Sequence, residues 1–255
     1  MTTVVTTGTD NTLTQQAKAS QWTIFHTLSI PFFPITIAAT GLLMPVSWRF
    51  LAWIVIVVLL TLFTTIVGHG ITGSWRGILI DERNKISLSR FQTAIWGLLI
   101  LSAFVAAALT NLPIDIASRP INALSISFPV ELLALLGIST TSLVGTPLIL
   151  NNKKRGEVDN NENRGEAHWS DMFKGDDVCN ADYLDLGKVQ MFYFTLILVL
   201  VYAVALAFTF MTVDPKHVTI TAFPALSATM VTLLGISHAG YLLYKAVPRN
   251  ENSTK

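Results

Sequence analysis

Polar side chains recur at helical spacing within three apolar segments, and these are the residues whose types could do chemistry. Spacings of three and four residues place side chains on one face of a helix. Such a face could line a water-filled cavity, or it could pack against neighbouring helices through hydrogen bonds. Both interpretations stay open at this point. The residues are Thr61, Thr65 and His69, then Ser139, Ser142 and Thr146, and finally Ser237, His238, Tyr241 and Lys245.

Two glutamines, each two residues after a basic residue, open further apolar segments. Arg90 precedes Gln92, and Lys188 precedes Gln190. A glutamine just inside a membrane must hydrogen-bond to a neighbouring helix or reach back to the interface, and we expect both to face the bundle. A long basic side chain can reach lipid phosphates while its stem stays in apolar surroundings. The sequence therefore predicts Arg90, Lys188 and Lys245 as interfacial basic residues.

The sequence does not indicate a metal site or a catalytic site. Asp176, Asn180 and Asp182 take positions 1, 5 and 7 of a hypothetical calcium loop, but Gly187 stands where a bidentate glutamate is required. The histidines never pair at ligand spacing with cysteine or a carboxylate. No phosphate-binding glycine loop or nucleophile elbow occurs in the chain. We therefore predict no metal, no cofactor and no enzymatic activity, and we expect a solvated acidic loop.

Membrane-spanning helices must position these residues. Hydrophobic residues make up 51% of the 255 residues and charged residues only 13%, outside the balance of a soluble domain. Five windows contain no Asp, Glu, Lys or Arg, and each holds the ~20 residues that a helix needs to cross ~30 Å of hydrocarbon. These windows are residues 50–75, 91–114, 132–152, 189–213 and 217–244.

A sixth candidate span, residues 22–44, contains Pro31 and Pro34. Prolines remove backbone hydrogen bonds, but kinked helices are tolerated in membranes, so we favour a kinked span over a segment that lies on the surface. The predicted fold class is an all-α membrane protein. We expect a bundle of six spans, and at least five, that contains two parallel two-helix repeats.

An internal duplication supports the repeats. Gln92 and Gln190 are 98 positions apart in the chain. Ser139 and Ser237, each the last residue of an LLGIS block, are also 98 positions apart. A fixed offset across two blocks indicates a repeated unit, and an even number of spans per unit makes the copies parallel. The predicted divisions are a disordered polar tail (1–20), a first hairpin (21–72), repeat 1 with its lead-in (73–150), an acidic loop (151–184), repeat 2 (185–248) and a tail (249–255).

Basic residues predict the orientation. If every window spans, one side of the membrane holds only Arg49, Arg119 and Lys216, and the other basic residues after position 20 fall on the opposite side. The side with more basic residues is expected in the cytoplasm, which predicts an inner (plasma) membrane protein with a cytoplasmic C-terminus. We expect the first half of the acidic loop to be disordered. Trp169 would anchor a short amphipathic stretch at the membrane surface.

Two hypotheses for function follow. The predicted midplane holds no acid, which argues against a proton-coupled carrier. The sequence then favours a homo-oligomeric pore or ion channel with a cytoplasm-facing polar cavity. The alternative is a membrane-anchored scaffold or sensor that recruits a cytoplasmic partner protein through its loop. A pore requires polar helix faces that contact water, whereas a scaffold needs these faces to be packed against neighbouring helices. Both hypotheses predict contact with the lipid bilayer, and neither predicts nucleic acid as a partner.

Three strings carry a resemblance. They are IDERNKISLSRFQ at 80–92, LDLGKVQMF at 184–192 and LGISHAGY at 234–241. They are similar to strings in a family of bacterial multi-pass membrane proteins, over roughly residues 50 to 248. The resemblance implies a bacterial membrane protein with several spans. It brings no activity, cofactor or partner with it.

Overall fold

The computed structural model describes residues 22–118, 122–153, 157–212 and 218–247. Within these ranges the protein is an all-α bundle without β-strands, as the sequence predicted. The predicted tails, 1–20 and 249–255, lie outside the described residues, and so do Arg119 and Lys216. The helices are α1 (Ile24–Leu43), α2 (Arg49–Thr72), α3 (Leu88–Ser118), α4 (Val130–Asn151), α5 (Leu186–Thr212) and α6 (Ala228–Ala246).

Within the described residues, five helical segments are long and apolar enough to cross a membrane, which makes this a multi-pass integral membrane protein. They are Ile24–Leu43, Val46–Thr72, Leu88–Ile114, Val130–Asn151 and Leu186–Thr212. The first continues through Pro31 and Pro34, in agreement with a span at this position. The 19-residue α6 is not among the five, although the sequence predicted a span at 217–244. Its polar residues His238, Tyr241 and Lys245 interrupt the apolar pattern.

Helix α6 runs parallel to α4 and in contact with it. The Ser142 hydroxyl lies 2.5 Å from Nδ1 of His238. One turn further along both helices, a Cβ placed at Gly145 would meet the Leu242 side chain at 3.6 Å. Because the contacts advance in the same direction along both helices, α6 runs alongside α4 and does not lie across the end of the bundle.

Helices α3 and α5 are also parallel neighbours. The Gln92 amide donates to the Thr195 hydroxyl at 2.8 Å, and the rings of Trp96 and Tyr202 are 6.1 Å apart further along. The helices themselves keep the offset of the sequence blocks, since α3 and α5 begin at residues 88 and 186 and α4 and α6 at 130 and 228, each pair 98 apart. The directions agree with parallel repeats. That the two hairpins are copies of one unit stays a prediction.

The bundle is apolar toward the end where α5 finishes. Phe210 stacks on Trp53 of α2 with ring centroids 5.2 Å apart, and both side chains are buried. The Asn111 side chain of α3 holds the segment before α6, because its amide and carbonyl each bond to the backbone of Ile220 at 2.9 Å. Apolar packing at this end therefore includes two buried polar side chains, Asn111 and Arg49, and the guanidinium of Arg49 donates to the backbone carbonyl of Val218 at 3.3 Å.

The segment between α4 and α5 is folded, and the prediction that its first half is disordered is wrong for the described residues. Antiparallel bridges join Val158 to Asp177 and Lys174 to Leu184, and three short 3-10 turns lie between them. The polar residues do not stay solvated because the segment before α3 supplies partners. The side-chain amides of Asn84 and Asn161, for example, donate to each other's backbone carbonyls at 3.0 Å. We call residues 157–185 the cap.

Candidate functional site

Asp176 of the cap is the centre of the candidate site. Its Oδ1 lies 2.7 Å from a guanidinium nitrogen of Arg83 and 3.0 Å from Nζ of Lys188. Its Oδ2 lies 2.8 Å from Nζ of Lys245 and accepts a 2.8 Å hydrogen bond from the Tyr241 hydroxyl. The partners come from the segment before α3, the first turn of α5 and the last turns of α6. One carboxylate therefore joins the cap to three other parts of the chain.

The local sequence explains how each partner is presented. Asp185 caps α5, since its carboxylate accepts the Lys188 backbone amide at 3.2 Å, and this fixes the lysine in the first turn. Tyr241 and Lys245 are four residues apart on α6 and therefore share a face. Arg83 is held by its neighbour Asp81, which receives its backbone amide at 2.9 Å and its guanidinium at 2.8 Å. Local structure therefore helps to present each cation to Asp176.

The charges around Asp176 fix its ionisation state. The side chain is 6% exposed, and burial alone would raise its pKa. The cations Lys245, Lys188 and Arg83 outweigh burial and hold the pKa of Asp176 well below its usual range. The carboxylate therefore stays charged at neutral pH. Removing one partner of such a buried group costs about 3–5 kcal/mol, because the other charges are left uncompensated.

Further ion pairs fasten the cap around this centre. Lys153, just after α4, binds both carboxylate oxygens of Asp177 at 2.6 and 2.8 Å. Lys85, in the segment before α3, pairs with Asp159. These pairs attach the cap to the rest of the chain through Asp159, Asp176 and Asp177, whereas Glu162, Glu166 and Asp182 are exposed.

Further from the cap than Asp176, several of the predicted polar residues meet inside the bundle. Ser142 of α4 contacts His238 of α6, and the Gln92 amide of α3 lies 2.8 Å from the Thr195 hydroxyl of α5 and 3.4 Å from Nε2 of His238. Tyr241 follows one turn closer to the cap. Ser142 and His238 are each 3% exposed. The four helices therefore bring these residues together as a packed, hydrogen-bonded cluster.

Ser139 and Thr146 lie on the same helix as Ser142 and join α4 to α3. The backbone carbonyl of Ser139 accepts from the Thr93 hydroxyl at 3.3 Å, and the Thr146 and Ser89 hydroxyls are 3.4 Å apart. Both predicted residues are buried. Both residues therefore lie at the contact between α3 and α4, Ser139 through its backbone carbonyl and Thr146 through its hydroxyl.

The predicted residues of α2 do not join this cluster. Thr61 and Thr65 each donate to the backbone carbonyl four residues earlier, at 2.8 and 2.7 Å, as hydroxyls in membrane helices often do. His69 lies between His26 of α1, whose Nε2 is 3.3 Å from its Nδ1, and Trp75, on which its ring stacks. Of these three residues, His69 contacts the other helix of the first hairpin.

Three predictions for the second repeat need correction. Gln190 is exposed rather than facing the bundle, whereas its counterpart Gln92 is buried. Lys188 and Lys245 are buried, and each pairs with the Asp176 carboxylate rather than extending outward as an interfacial basic residue would. Ser237 is half-buried beside the cluster residue His238.

Arg90 differs from the other two basic residues. It is half-buried in the first turn of α3 and has no ion pair or hydrogen bond among the described residues. Its counterpart at the 98-residue offset is Lys188, which is bound to Asp176. The guanidinium of Arg90 is therefore free to bind a group from outside the described chain.

Three polar atoms inside the bundle have no hydrogen-bond partner among the described residues. They are Oε1 of Gln92, Nε1 of Trp96 and the hydroxyl of Tyr202, which lie on the facing helices α3 and α5. Buried polar groups are nearly always bonded to protein or to ordered water. These atoms extend the polar cluster away from the cap, toward the apolar end of the bundle.

Sequence reasoning missed the centre of the site. It considered Asp176 only as a calcium ligand, and it took Arg83 only as a marker of orientation. One feature of the sequence could have predicted a buried acid. Lys188, Tyr241 and Lys245 lie at one end of the helices, and buried cations require an acid nearby. Within the described ranges, no three His, Cys, Asp or Glu side chains are grouped so as to hold a metal ion.

No protein-family model, no curated protein and no solved structure matches this chain. The resemblance to bacterial multi-pass membrane proteins therefore stays a prediction. The function has to be argued from the geometry of the site.

Proposed function

We propose that this protein is a membrane-anchored scaffold whose cap presents a fixed surface to a cytoplasmic partner protein. The observation that supports the proposal most strongly is the binding of Asp176 by Arg83, Lys188, Lys245 and Tyr241. Attachment through a buried carboxylate gives the cap one orientation on the helices. A loop that served only as a connection between α4 and α5 would not need this.

The packed polar cluster favours the scaffold over the pore. A conducting pathway needs polar faces that contact water, but Ser142, His238 and Gln92 are buried against one another. At the opposite end of the bundle, the side chains of Phe210 and Trp53 stack on each other and are buried. In this conformation the membrane part serves as an anchor.

The cap has an exposed surface that suits a protein partner. Val178, Tyr183 and Leu184 are 57%, 71% and 68% exposed, although the cap backbone around them is bonded on both sides. Exposed apolar and aromatic side chains on a fixed backbone are typical of interaction sites. The excess of basic residues on the cap side of the bundle supports a cytoplasmic location for this surface, with the protein in the inner membrane.

Photo-cross-linking in cells tests the scaffold. A photoreactive phenylalanine analogue at Tyr183 should give a discrete adduct with a protein. The adduct should disappear when Asp176→Asn releases the cap and should persist in Asp182→Asn, which removes an exposed acid of the same cap. The same analogue at Leu200, a lipid-facing position of α5, is the negative control. Adducts at Tyr183 no stronger than those at Leu200 would contradict the scaffold.

A channel is the second candidate, and the unpaired polar atoms of Gln92, Trp96 and Tyr202 favour it. Water that binds these atoms would extend the polar cluster past His238, and movement of the cap would open it to the cytoplasm. This pathway lies within one chain, so it does not require the predicted homo-oligomer, which stays a prediction.

Liposome flux separates the two candidates. Protein in which Asp176→Asn releases the cap should conduct ions if the cap closes a channel, and it should remain impermeable if the protein is only a scaffold. Protein with Asp182→Asn is the matched control. The mass of the purified protein in lipid nanodiscs determines the number of copies separately.

A further inference from the structure

Two cavities on α3 share a wall. The first encloses about 730 Å³ at the cap end, between α3, α4 and the cap, and Arg90, Glu82 and Ser87 line it. The second encloses about 650 Å³ between α2, α3 and α4. Ile78, Thr93 and Ala94 line both. The two spaces therefore lie next to each other along α3, and we call them together the groove, with a charged end at the cap and a second part within the membrane helices.

The second part of the groove is a slot for an apolar chain. Its lining residues are almost all apolar and include Phe63, Gly97, Leu101, Phe104 and Leu136. From Thr93 to Phe104 the slot follows eleven residues of α3, which at 1.5 Å per residue is about 16 Å. That length is roughly half of the ~30 Å hydrocarbon thickness of a bilayer. A single acyl chain of one leaflet fits this depth.

The charged end offers one free cation and one free anion. Neither Arg90 nor Glu82 has an ion pair or hydrogen bond among the described residues, whereas Arg83 and Asp81, which also line this end, bind each other. A guanidinium binds a phosphate diester through charge-assisted hydrogen bonds. A purely anionic headgroup would place its charge near Glu82 as well. A phosphate that also bears an ammonium group satisfies both side chains.

We propose that this groove binds one phospholipid of the bilayer that has a zwitterionic headgroup with a primary ammonium group, such as phosphatidylethanolamine. Its phosphate pairs with Arg90, its ammonium group pairs with Glu82, and one acyl chain lies in the slot beside Gly97. The lipid would contact α2, α3, α4 and the cap together, because Val158 and Asn160 of the cap line the charged end.

Gly97 provides a direct way to block the slot. A Cβ added there meets no atom within 4 Å, so a leucine side chain enters the open space without displacing the protein. Gly137 of α4 is the matched control, since a Cβ at this position also meets no atom within 4 Å and the residue lines neither cavity. Leucine is a better helix former than glycine at both positions.

Native mass spectrometry of the full-length protein, titrated with phosphatidylethanolamine, phosphatidylcholine and phosphatidylglycerol, tests the proposal. We expect one phosphatidylethanolamine per chain at the lowest lipid concentration. Gly97→Leu should weaken this binding about tenfold, and Gly137→Leu should leave it unchanged. Melting temperatures measured without added lipid show whether each variant is folded.

The headgroup substitutions supply a second, independent comparison. Arg90→Gln should also weaken binding about tenfold, while Arg76→Gln, a basic residue outside the groove, should not. Glu82→Gln should remove the preference for phosphatidylethanolamine over phosphatidylglycerol. Equal binding by wild type and Gly97→Leu would overturn the site. A wild-type preference for phosphatidylglycerol or phosphatidylcholine would overturn the proposed headgroup.

Discussion

The hydroxyl of Tyr241 on α6 donates to Oδ2 of Asp176 in the cap at 2.8 Å, across 65 positions in the chain. This bond joins the packed polar cluster of the helices to the buried ion pairs of the cap, since Tyr241 lies one turn from His238 on α6. Any movement of the cap therefore has to break a hydrogen bond to a membrane helix as well as three ion pairs.

Replacing Tyr241 with phenylalanine removes this bond and keeps the ring. A hydrogen bond to a charged group contributes about 1.5–3 kcal/mol, so the free energy of unfolding should fall by that amount. Denaturant unfolding of the purified protein measures the change. Tyr193→Phe, at an exposed position of α5, should change it by less than about 0.5 kcal/mol. Equal effects of the two substitutions would show that the Tyr241 hydroxyl is not bound to Asp176.

Acid should weaken the attachment of the cap. The pKa of Asp176 is held well below its ordinary value of 3.8 by Lys245, Lys188 and Arg83, although burial opposes the shift. A group with a lowered folded-state pKa contributes stability above its unfolded pKa and loses it as pH falls through the folded pKa. The difference in melting temperature between wild type and Asp176→Asn should therefore be constant from pH 7 to about pH 5 and shrink below about pH 4. A difference that changed mainly between pH 8 and 6 would assign it to another group.

Enlarging Ser142 tests whether the polar cluster is packed. Ser142→Leu should clash with α6 and unpair His238, with a loss of about 1–3 kcal/mol in the free energy of unfolding. Thr141→Leu, at the exposed neighbouring position on α4, should change it little. Unfolding in denaturant compares the two variants. A stable Ser142→Leu protein would instead indicate that the side chain lies beside open, hydrated space.

The sole cysteine tests the orientation without any substitution. Cys179 is exposed in the cap. An impermeant thiol reagent should therefore label it only after intact cells are permeabilised. In a Cys179→Ser background, a cysteine at Leu124, which is exposed at the opposite end of the bundle, should be labelled from outside. Labelling of Cys179 in intact cells would place the cap outside the cell.

Hydrophobic patterning predicted the five spans of the described residues, because each must be apolar along most of its length, but it also predicted a span at 217–244 that is not among them. The starts of α3 and α5, and those of α4 and α6, also differ by the 98 residues that separate the sequence blocks. Where a polar residue lies in the bundle was harder to predict. Gln92 and Gln190 occupy equivalent positions, but only Gln92 has hydrogen-bond neighbours on two other helices, α5 and α6, and only Gln92 is buried.

The cap could not be predicted from local pattern, since its order depends on contacts between residues far apart in the chain. Asp176 lies 93 positions from Arg83 and 69 from Lys245 in the numbering, and nothing near it in sequence shows that it is buried. An acidic, polar segment is typical of a solvated loop. Here the basic residues at the ends of the helices supply partners that reverse this expectation.

Hydrogen exchange of the cap, measured by mass spectrometry in lipid nanodiscs, tests most directly whether Asp176 fixes the cap on the bundle. Backbone amides that bond within the cap and to the segment before α3, such as those of Asp159, Asn161 and Val178, should be protected in wild type and in Asp182→Asn. In Asp176→Asn they should exchange at least tenfold faster, while the amides of α3 and α5 keep their protection. Equal exchange of the cap in Asp176→Asn and wild type would contradict the account.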